Sequence, residues 1–538
     1  MSAAGWIEIA LYIALLTAIA PLLGAYMTRV YRGDIGIGVV DRLTTRLFGG
    51  AEQDWKGYAK SVLVFSAVFF GVLYLILRPR MPYDVTFNTT ASFITNTDWQ
   101  FYSGETTLSN LQQMAGLAVQ NFVSAAVGIA VAIAFIRALA ARSGKTIGNF
   151  YGDLVKTLVY VLLPISVVVG LILVSQGVIQ SLSAGPVASQ EVIKELGTNG
   201  GGFFNVNSAY PFENPTWLSN FVEMLLILAI PAALTSVYGR LVGNRRQGWA
   251  IYSAMLALFV VGVVVVAIAE NHGTPAMDAA GLHGFNMEGK EQRFGIASTS
   301  LFAVITTVAS CGAVNGAMEA LSGIGGLVPM ANMQAGEVIF GGVGSGLYGM
   351  LLFAILGVFL SGLMVGRTPE FLGKKIEARE VKLTVIGTIG VPLLVLVTST
   401  LAIATTYGKV SIFNSGPQGW SETLYAYTSQ ANNNGSAFAG YTGFVQPADA
   451  AQFGITFANL LGGFAMLLGR FLPMLAVLAI AGSLVGKRVT PAGAGTFRTD
   501  SPTFVIVLVG VVVLVALLTF VPALLLGPVV QGMTHRLF

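Results

Sequence analysis

Gly197-Thr198-Asn199-Gly200-Gly201-Gly202-Phe203-Phe204 is a polar, glycine-rich stretch set between long apolar runs. The segment sits at membrane depth without the composition of a spanning helix. Backbone N–H and C=O groups are costly to leave unsatisfied in hydrocarbon, so irregular backbone persists there only where protein buries it or a wet path solvates it. Glycine visits positive φ cheaply, which lets consecutive carbonyls swing to one side. A ring of such carbonyls is a cation filter.

The surrounding chain has the composition this reading requires. Its 538 residues are 54% hydrophobic and 10% charged, with a mean hydropathy of +0.74. A soluble globule carries about 25% charged residues, so the chain is a polytopic membrane protein. Each helical span needs about 20 mostly apolar residues. Stretches at roughly 6–28, 61–79, 113–137, 155–178, 216–239, 249–270, 335–366, 382–406, 451–485 and 502–527 qualify. An even number of spans puts both termini on one side. The odd-numbered loops hold most of the Lys and Arg, from Arg29, Arg32, Arg42 and Arg46 through Arg240, Arg245 and Arg246 to Arg367, Lys374, Lys375, Lys487 and Arg498. The opposite face has Arg78, Arg80, Lys194, Lys290, Arg293, Lys409 and Arg536. The positive-inside bias therefore makes the odd loops cytoplasmic and both termini external. No basic residue precedes Trp6 and the first run carries Glu8, which predicts a retained span and not a signal peptide. The net charge of +4 is spread over several loops, a pattern that implies no nucleic-acid partner. One cysteine, Cys311, excludes an internal disulfide framework, and His272, His283 and His535 lack metal-ligand spacing.

The opening stretch has three echoes. Phe87–Ile94 leads into Thr95-Asn96-Thr97-Asp98-Trp99-Gln100, Ser189–Leu196 into Gly197-Thr198-Asn199-Gly200, Ala297–Val308 into Ala309-Ser310-Cys311-Gly312, and Leu424–Ala431 into Asn432-Asn433-Asn434-Gly435-Ser436. Each copy reads as span, short pore helix, polar cluster, span. Four copies predict an all-α protein with ten spans and a pseudo-fourfold pore: repeats at 61–150, 151–248, 249–380 and 381–490, with 1–60 and 491–538 contributing peripheral helices. A re-entrant helix of this kind aims its C-terminus, with partial negative charge, at the pore axis. Outer-face acids, among them Asp84, Glu105, Glu191, Glu195, Glu213, Glu270, Asp278, Glu288, Glu291, Glu422 and Asp449, form a cation-concentrating vestibule or are simply tolerated there.

Two features predict a gate. Gly336, Gly341, Gly342, Gly344, Gly346 and Gly349 crowd the span at 335–366, each costing about 1 kcal/mol in a helix, so a deliberate break beside Glu337 is expected. Arg470, in the middle of the ninth span, must face the pore or a partner instead of lipid. It either blocks straight passage or is held by helix carbonyls or an acid such as Glu223. Gly344-Ser345-Gly346-Leu347-Tyr348-Gly349 satisfies G-x-G-x-x-G but has no βαβ unit around it. Gly144-Lys145-Thr146 lacks the first glycine of a P-loop, and D-K-T-G is absent, so ATP chemistry belongs elsewhere.

With Thr198–Phe204, Ser310–Asn315, Asn433–Gly440, Asn205, Asn207, Pro211–Pro215 and Gly366–Lys375 quoted together, the chain resembles the KdpA family over essentially its whole length. The resemblance implies the non-catalytic, potassium-binding subunit of a bacterial inner-membrane uptake complex, with KdpB as the P-type ATPase subunit and KdpC and KdpF as companions. It also implies kinship with Trk, Ktr and HKT transporters and no organic cofactor, potassium being the cargo. Carried over by position, the filter is Asn96, Thr97 and Asp98 with Gln100 beside them, then Thr198, Asn199 and Gly200, then Ser310, Cys311 and Gly312, then Asn433, Asn434 and Gly435. Asp98 departs from the neutral amide expected there: it either strengthens cation binding or bonds neighbouring N–H groups. The rival reading is a gradient-driven Trk/Ktr-type potassium or sodium transporter that needs no ATP.

Overall fold

Ten apolar stretches become ten helices long enough to cross a membrane in the computed structural model, which describes residues 1–366, 368–443, 455–491 and 497–533. Arg367, Asp449, His535 and Arg536 lie outside the described residues. Helix α1 (Ala3–Arg32) precedes four repeats. The first comprises α2 (Trp55–Leu77), α3 (Tyr83–Ile94) and α4 (Gln112–Ala140). The second comprises α5 (Phe150–Ser175), α6 (Val187–Leu196) and α7 (Trp217–Leu241). The third has α8 (Arg245–His272), α9 (Gly295–Val308), α10 (Gly323–Gln334) and α11 (Ser345–Val365). The fourth has α12 (Ala378–Ala404), α13 (Gly416–Ala431) and α14 (Phe457–Val485), and α15 (Pro502–Leu524) follows.

The pore helices α3, α6, α9 and α13 have 12, 10, 14 and 16 residues, too few to cross about 30 Å of hydrocarbon at about 1.5 Å per residue. Burial separates inner from outer spans. The most apolar windows of α4 and α7 are 89% and 83% buried, whereas those of α1 and α15 are 28% buried and lie on the outside. Ala125, Ala126, Gly128, Ala130, Ala132 and Ala134 line α4 with small side chains, which allows close helix approach.

The span expected at 335–366 is corrected. Its helix starts at Ser345, residues 335–344 form a loop, and the missing half is α10, which the sequence reading left unassigned. Twelve residues rich in glycine and methionine are too short and too weakly apolar to register as a span. Gly344, in the G-x-G-x-x-G sequence, is the N-cap of α11 at φ 90°.

On the face assigned to the cytoplasm, β1 (Glu370–Phe371) pairs antiparallel with β2 (Lys374–Lys375). Lys374 Nζ donates to Ala138 O and Leu484 O, both at 2.7 Å, and so caps the last turns of α4 and α14. Burial pushes its ammonium pKa down to about 8. The Glu370–Lys375 part of the family-like motif thus pins two inner helices together.

Candidate functional site

All four pore helices end in the same way. The residue after each cap is left-handed: Asn96 at φ 64°, Thr198 at 48°, Ser310 at 54° and Asn433 at 62°. That turn closes a 6→1 bond from the next N–H to the helix: Thr97 to Ser92 O at 2.9 Å, Asn199 to Lys194 O at 2.8 Å, Cys311 to Thr306 O at 3.1 Å and Asn434 to Ser429 O at 2.8 Å. The third residue is again left-handed, with Asp98 at 51°, Gly200 at 71°, Gly312 at 88° and Gly435 at 102°. Its N–H turns back to the same helix residue, onto Ser92 O, Lys194 O, Thr306 Oγ1 or Ser429 Oγ. Alternating left- and right-handed backbone gathers N–H groups on one side, and here the helix C-terminus fills that nest. The N–H groups of the turns are thus spent on the helix, while Thr198 O and Asn433 O accept from Asn96 Nδ2 and Ser310 Oγ of the adjoining turns.

The four turns close into a ring. A Cβ on Gly200 would lie 2.0 Å from Cys311 O, one on Gly312 2.1 Å from Asn434 O, and one on Gly435 2.0 Å from Thr97 O. Asn96 Nδ2 completes the circuit by donating to Thr198 O at 2.7 Å. Three of the four contacts between turns are thus made at a central carbonyl, where only a residue without Cβ fits, and the fourth by the Asn96 side chain. Asp98 occupies the fourth; aspartate tolerates left-handed backbone better than most residues. Both its carboxylate oxygens are buried without a hydrogen-bond partner. Of the neighbouring N–H groups, the Asn199 side-chain amide is the one that acts on the Asp98 carboxylate. Gln100 sits just outside the ring, accepting from Gly202 N at 2.9 Å.

Above the ring is a cavity of about 960 Å3 whose walls include Gln100, Gly312, Gly435, Glu288, Glu291 and Glu319. The predicted acidic vestibule is corrected in its membership. Glu319 was missed, while Asp84, Glu191, Glu195, Glu213, Glu270 and Glu422 are buried and structurally engaged. Glu270 pairs with Lys290 at 2.8 Å and accepts from Ser322 Oγ at 2.7 Å. Lys194, fully buried, pairs with Glu191 at 2.7 Å and Glu213 at 3.1 Å behind the second turn. Cys311 Sγ donates to Glu195 Oε2 at 3.5 Å, so the lone thiol ties the third turn to this cluster. The Glu191/Lys194 spacing of three on a helix was a readable signal.

Beneath the ring the 335–344 loop crosses from the third repeat to the first. Val343 N donates to Thr198 Oγ1 at 2.9 Å, Gly341 N donates to Val308 O at 2.7 Å, and a Cβ on Gly344 would lie 2.1 Å from Gly128 O on α4. Arg470, 5% exposed, lies against the same place, with Nη2 2.8 Å from where a Gly128 Cβ would be. Among the described residues its guanidinium makes no hydrogen bond to protein, and Nη2 is buried unpaired. Its positive charge instead acts on the Asp98 and Glu337 carboxylates. Glu223, the acid expected as a structural partner, belongs to the Glu191/Glu195 group. A cavity of about 60 Å3 between α11, α12 and α14 has Ser310, Asn433, Glu337 and Arg470 among its walls. The structure thus brings the four predicted turns together in one ring, with Glu337, Gly344 and Arg470 on its other side.

Residues 10–533 match the family described as Potassium-transporting ATPase A subunit, KdpA. The chain belongs to this family. Relatives named potassium-transporting ATPase potassium-binding subunit include those of Rhizobium rhizogenes, 51% identical over 98% of both chains, and Methylobacterium radiotolerans, 52% identical over 99% of this chain and 98% of the relative. The KdpA fold here is similar to that of the potassium transporter TrkH from Vibrio parahaemolyticus, with a TM-score of 0.56 over 88% of this chain and 96% of that one, at 15% identity. That likeness concerns architecture, the four-repeat pore.

Proposed function

We propose that this chain is the potassium-selective binding and translocation subunit of a high-affinity, ATP-driven uptake complex in a bacterial inner membrane. Both termini lie outside, and the repeat boundaries expected at 61, 151, 249 and 381 move to the helix starts at Trp55, Phe150, Arg245 and Ala378. Asn96, Thr97, Asp98, Thr198, Asn199, Gly200, Ser310, Cys311, Gly312, Asn433, Asn434 and Gly435 form the potassium filter, with Gln100 at its mouth. The observation that carries the reading is the fourfold repetition of one backbone geometry in a closed ring. Such a ring replaces the hydration shell of a desolvated cation with peptide oxygens, and four helix C-termini add negative potential.

The chain itself is non-catalytic in this reading, and a KdpB-type ATPase subunit, with KdpC and KdpF, supplies the driving force. The loop and Arg470 close the straight route, so the ion leaves sideways along the cavity between α11, α12 and α14. Copurification with an ATPase subunit whose hydrolysis rises with potassium supports the reading; a chain that purifies alone from its native membrane, with no potassium-stimulated hydrolysis associated, contradicts it.

Two variants test the parts separately. Asp98→Asn keeps a side chain that tolerates left-handed backbone but removes a charge. At an effective dielectric of about 20 a nearby unit charge is worth on the order of 2 kcal/mol, so potassium affinity is expected to fall roughly thirtyfold. Equal affinity in isothermal titration would show that the carboxylate does not face the ion. Gly344→Ala drives a Cβ into Gly128 O, and Glu337→Gln removes the carboxylate from the lateral cavity. Both should slow ATP-coupled flux about tenfold while changing external binding little, because they lie beyond the filter. Normal coupled flux in both variants removes the loop from the path.

A further inference from the structure

At the end of the bundle where α1 and α7 finish and α8 begins, three arginines from three helices converge. Arg32 donates to Arg240 O at 3.2 Å, Arg240 Nε to Ser236 Oγ at 3.2 Å, and Arg240 Nη2 to Pro21 O at 3.3 Å. The side chain of Arg245 has no hydrogen bond to protein among the described residues, and the charges of Arg245 and Arg32 both act on Arg240. Among the described residues none of the three is paired with a carboxylate. Among the described residues the arginines so paired are Arg137, Arg293 and Arg498. Asp500, the acid that reaches this corner, accepts from Asn244 at 3.1 Å and is already engaged by Arg498 at 3.2 Å. Three like charges gathered at one corner with no acid against them attract an anion.

Arg240 and Arg245 line a cavity of about 80 Å3 whose walls also include Pro21, Ser236, Trp249 and Tyr252. Trp249 and Tyr252 lie about one and two turns into α8 from Arg245, so the cavity reaches from the charged rim towards the apolar part of that span. Trp249 is 46% exposed and packs edge-on to Tyr252 at 5.4 Å, the amphipathic pair expected at a membrane boundary. A soluble anion needs the rim alone. A rim of guanidinium forks above an apolar descent fits a molecule with a phosphate on top and hydrocarbon beneath.

We propose that this pocket binds one acidic phospholipid, its headgroup phosphate clamped by Arg240 and Arg245 and its chains lying past Trp249 and Pro21. The site is independent of the filter and, by the charge bias of the loops, faces the inner leaflet.

The test uses the full chain in its purified complex, delipidated and returned to phosphatidylcholine nanodiscs with or without phosphatidylglycerol, with retained lipid counted by native mass spectrometry and stability followed by thermal unfolding. The wild type should retain phosphatidylglycerol over phosphatidylcholine and unfold at higher temperature with it. Arg240→Gln/Arg245→Gln should retain it roughly thirtyfold less, each charge contributing about fivefold. Lys56→Gln/Lys60→Gln removes as many charges from the same membrane face on α2 and should retain it like the wild type. If the double arginine variant fails to fold in phosphatidylcholine, Arg245→Gln, which breaks no protein hydrogen bond, carries the measurement. Inorganic phosphate alone should give no thermal shift. Equal retention by wild type and arginine variant, equal loss in the lysine variant, or a shift by phosphate matching that by phosphatidylglycerol would each overturn the proposal.

Discussion

Gly312→Ala is expected to lower potassium affinity by at least about a hundredfold and to narrow discrimination against sodium and ammonium. Left-handed backbone costs alanine about 1–2 kcal/mol. The larger effect is steric: the new Cβ would stand 2.1 Å from Asn434 O, whereas ordinary contact begins near 3.4 Å. The carbonyl must move by about an ångström, and filter selectivity depends on carbonyl placement. Gly510→Ala on α15, where an added Cβ meets nothing within 4 Å, is the matched control and should bind like the wild type. Competition of potassium with rubidium, ammonium and sodium in the assembled complex reads the difference. Unchanged affinity and selectivity in Gly312→Ala, Gly200→Ala and Gly435→Ala together would remove the ring from the filter role.

Arg470→Gln is expected to open an ATP-independent potassium leak, at least about tenfold above the wild type, in vesicles containing the assembled complex. A fixed guanidinium in a low-dielectric constriction opposes a second cation by several kcal/mol at an effective dielectric of about 20. The same charge acts on Asp98 and Glu337, so its removal should tighten cation binding while leaving the order of preference among cations unchanged. A purely structural arginine predicts something else: loss of folded protein and no leak. The absence of hydrogen bonds from Arg470 to protein among the described residues favours the gating role, since truncation strands few partners.

The ring of four turns was legible because its geometry constrains residue type. Left-handed positions select Gly, Asn, Asp or small polar residues, and three of the four third positions carry glycine because the neighbouring carbonyl leaves no room for Cβ. The spans were legible from hydropathy, and Arg470 from its cost in lipid. The half-helix α10 was not, because twelve residues sheltered by other helices need neither length nor strong hydropathy. The vestibule was only partly legible. Glu191 and Glu213 read like solvated outer acids until Lys194 is seen to pair with both in the interior, an arrangement decided by tertiary packing. Glu319, a genuine wall residue, sits in a loop whose direction no local pattern fixes. The Cys311–Glu195 contact joins two repeats and has no local signal.

The most direct test of the central claim is potassium uptake into vesicles reconstituted with this chain alone, with its ATPase partners, and with partners plus ATP. The account predicts high-affinity uptake in the last case alone, because the 335–344 loop and Arg470 close the straight route and the ion must be handed sideways. Potassium or sodium uptake by the chain alone, driven by an ion gradient or membrane potential and indifferent to ATP, would contradict it.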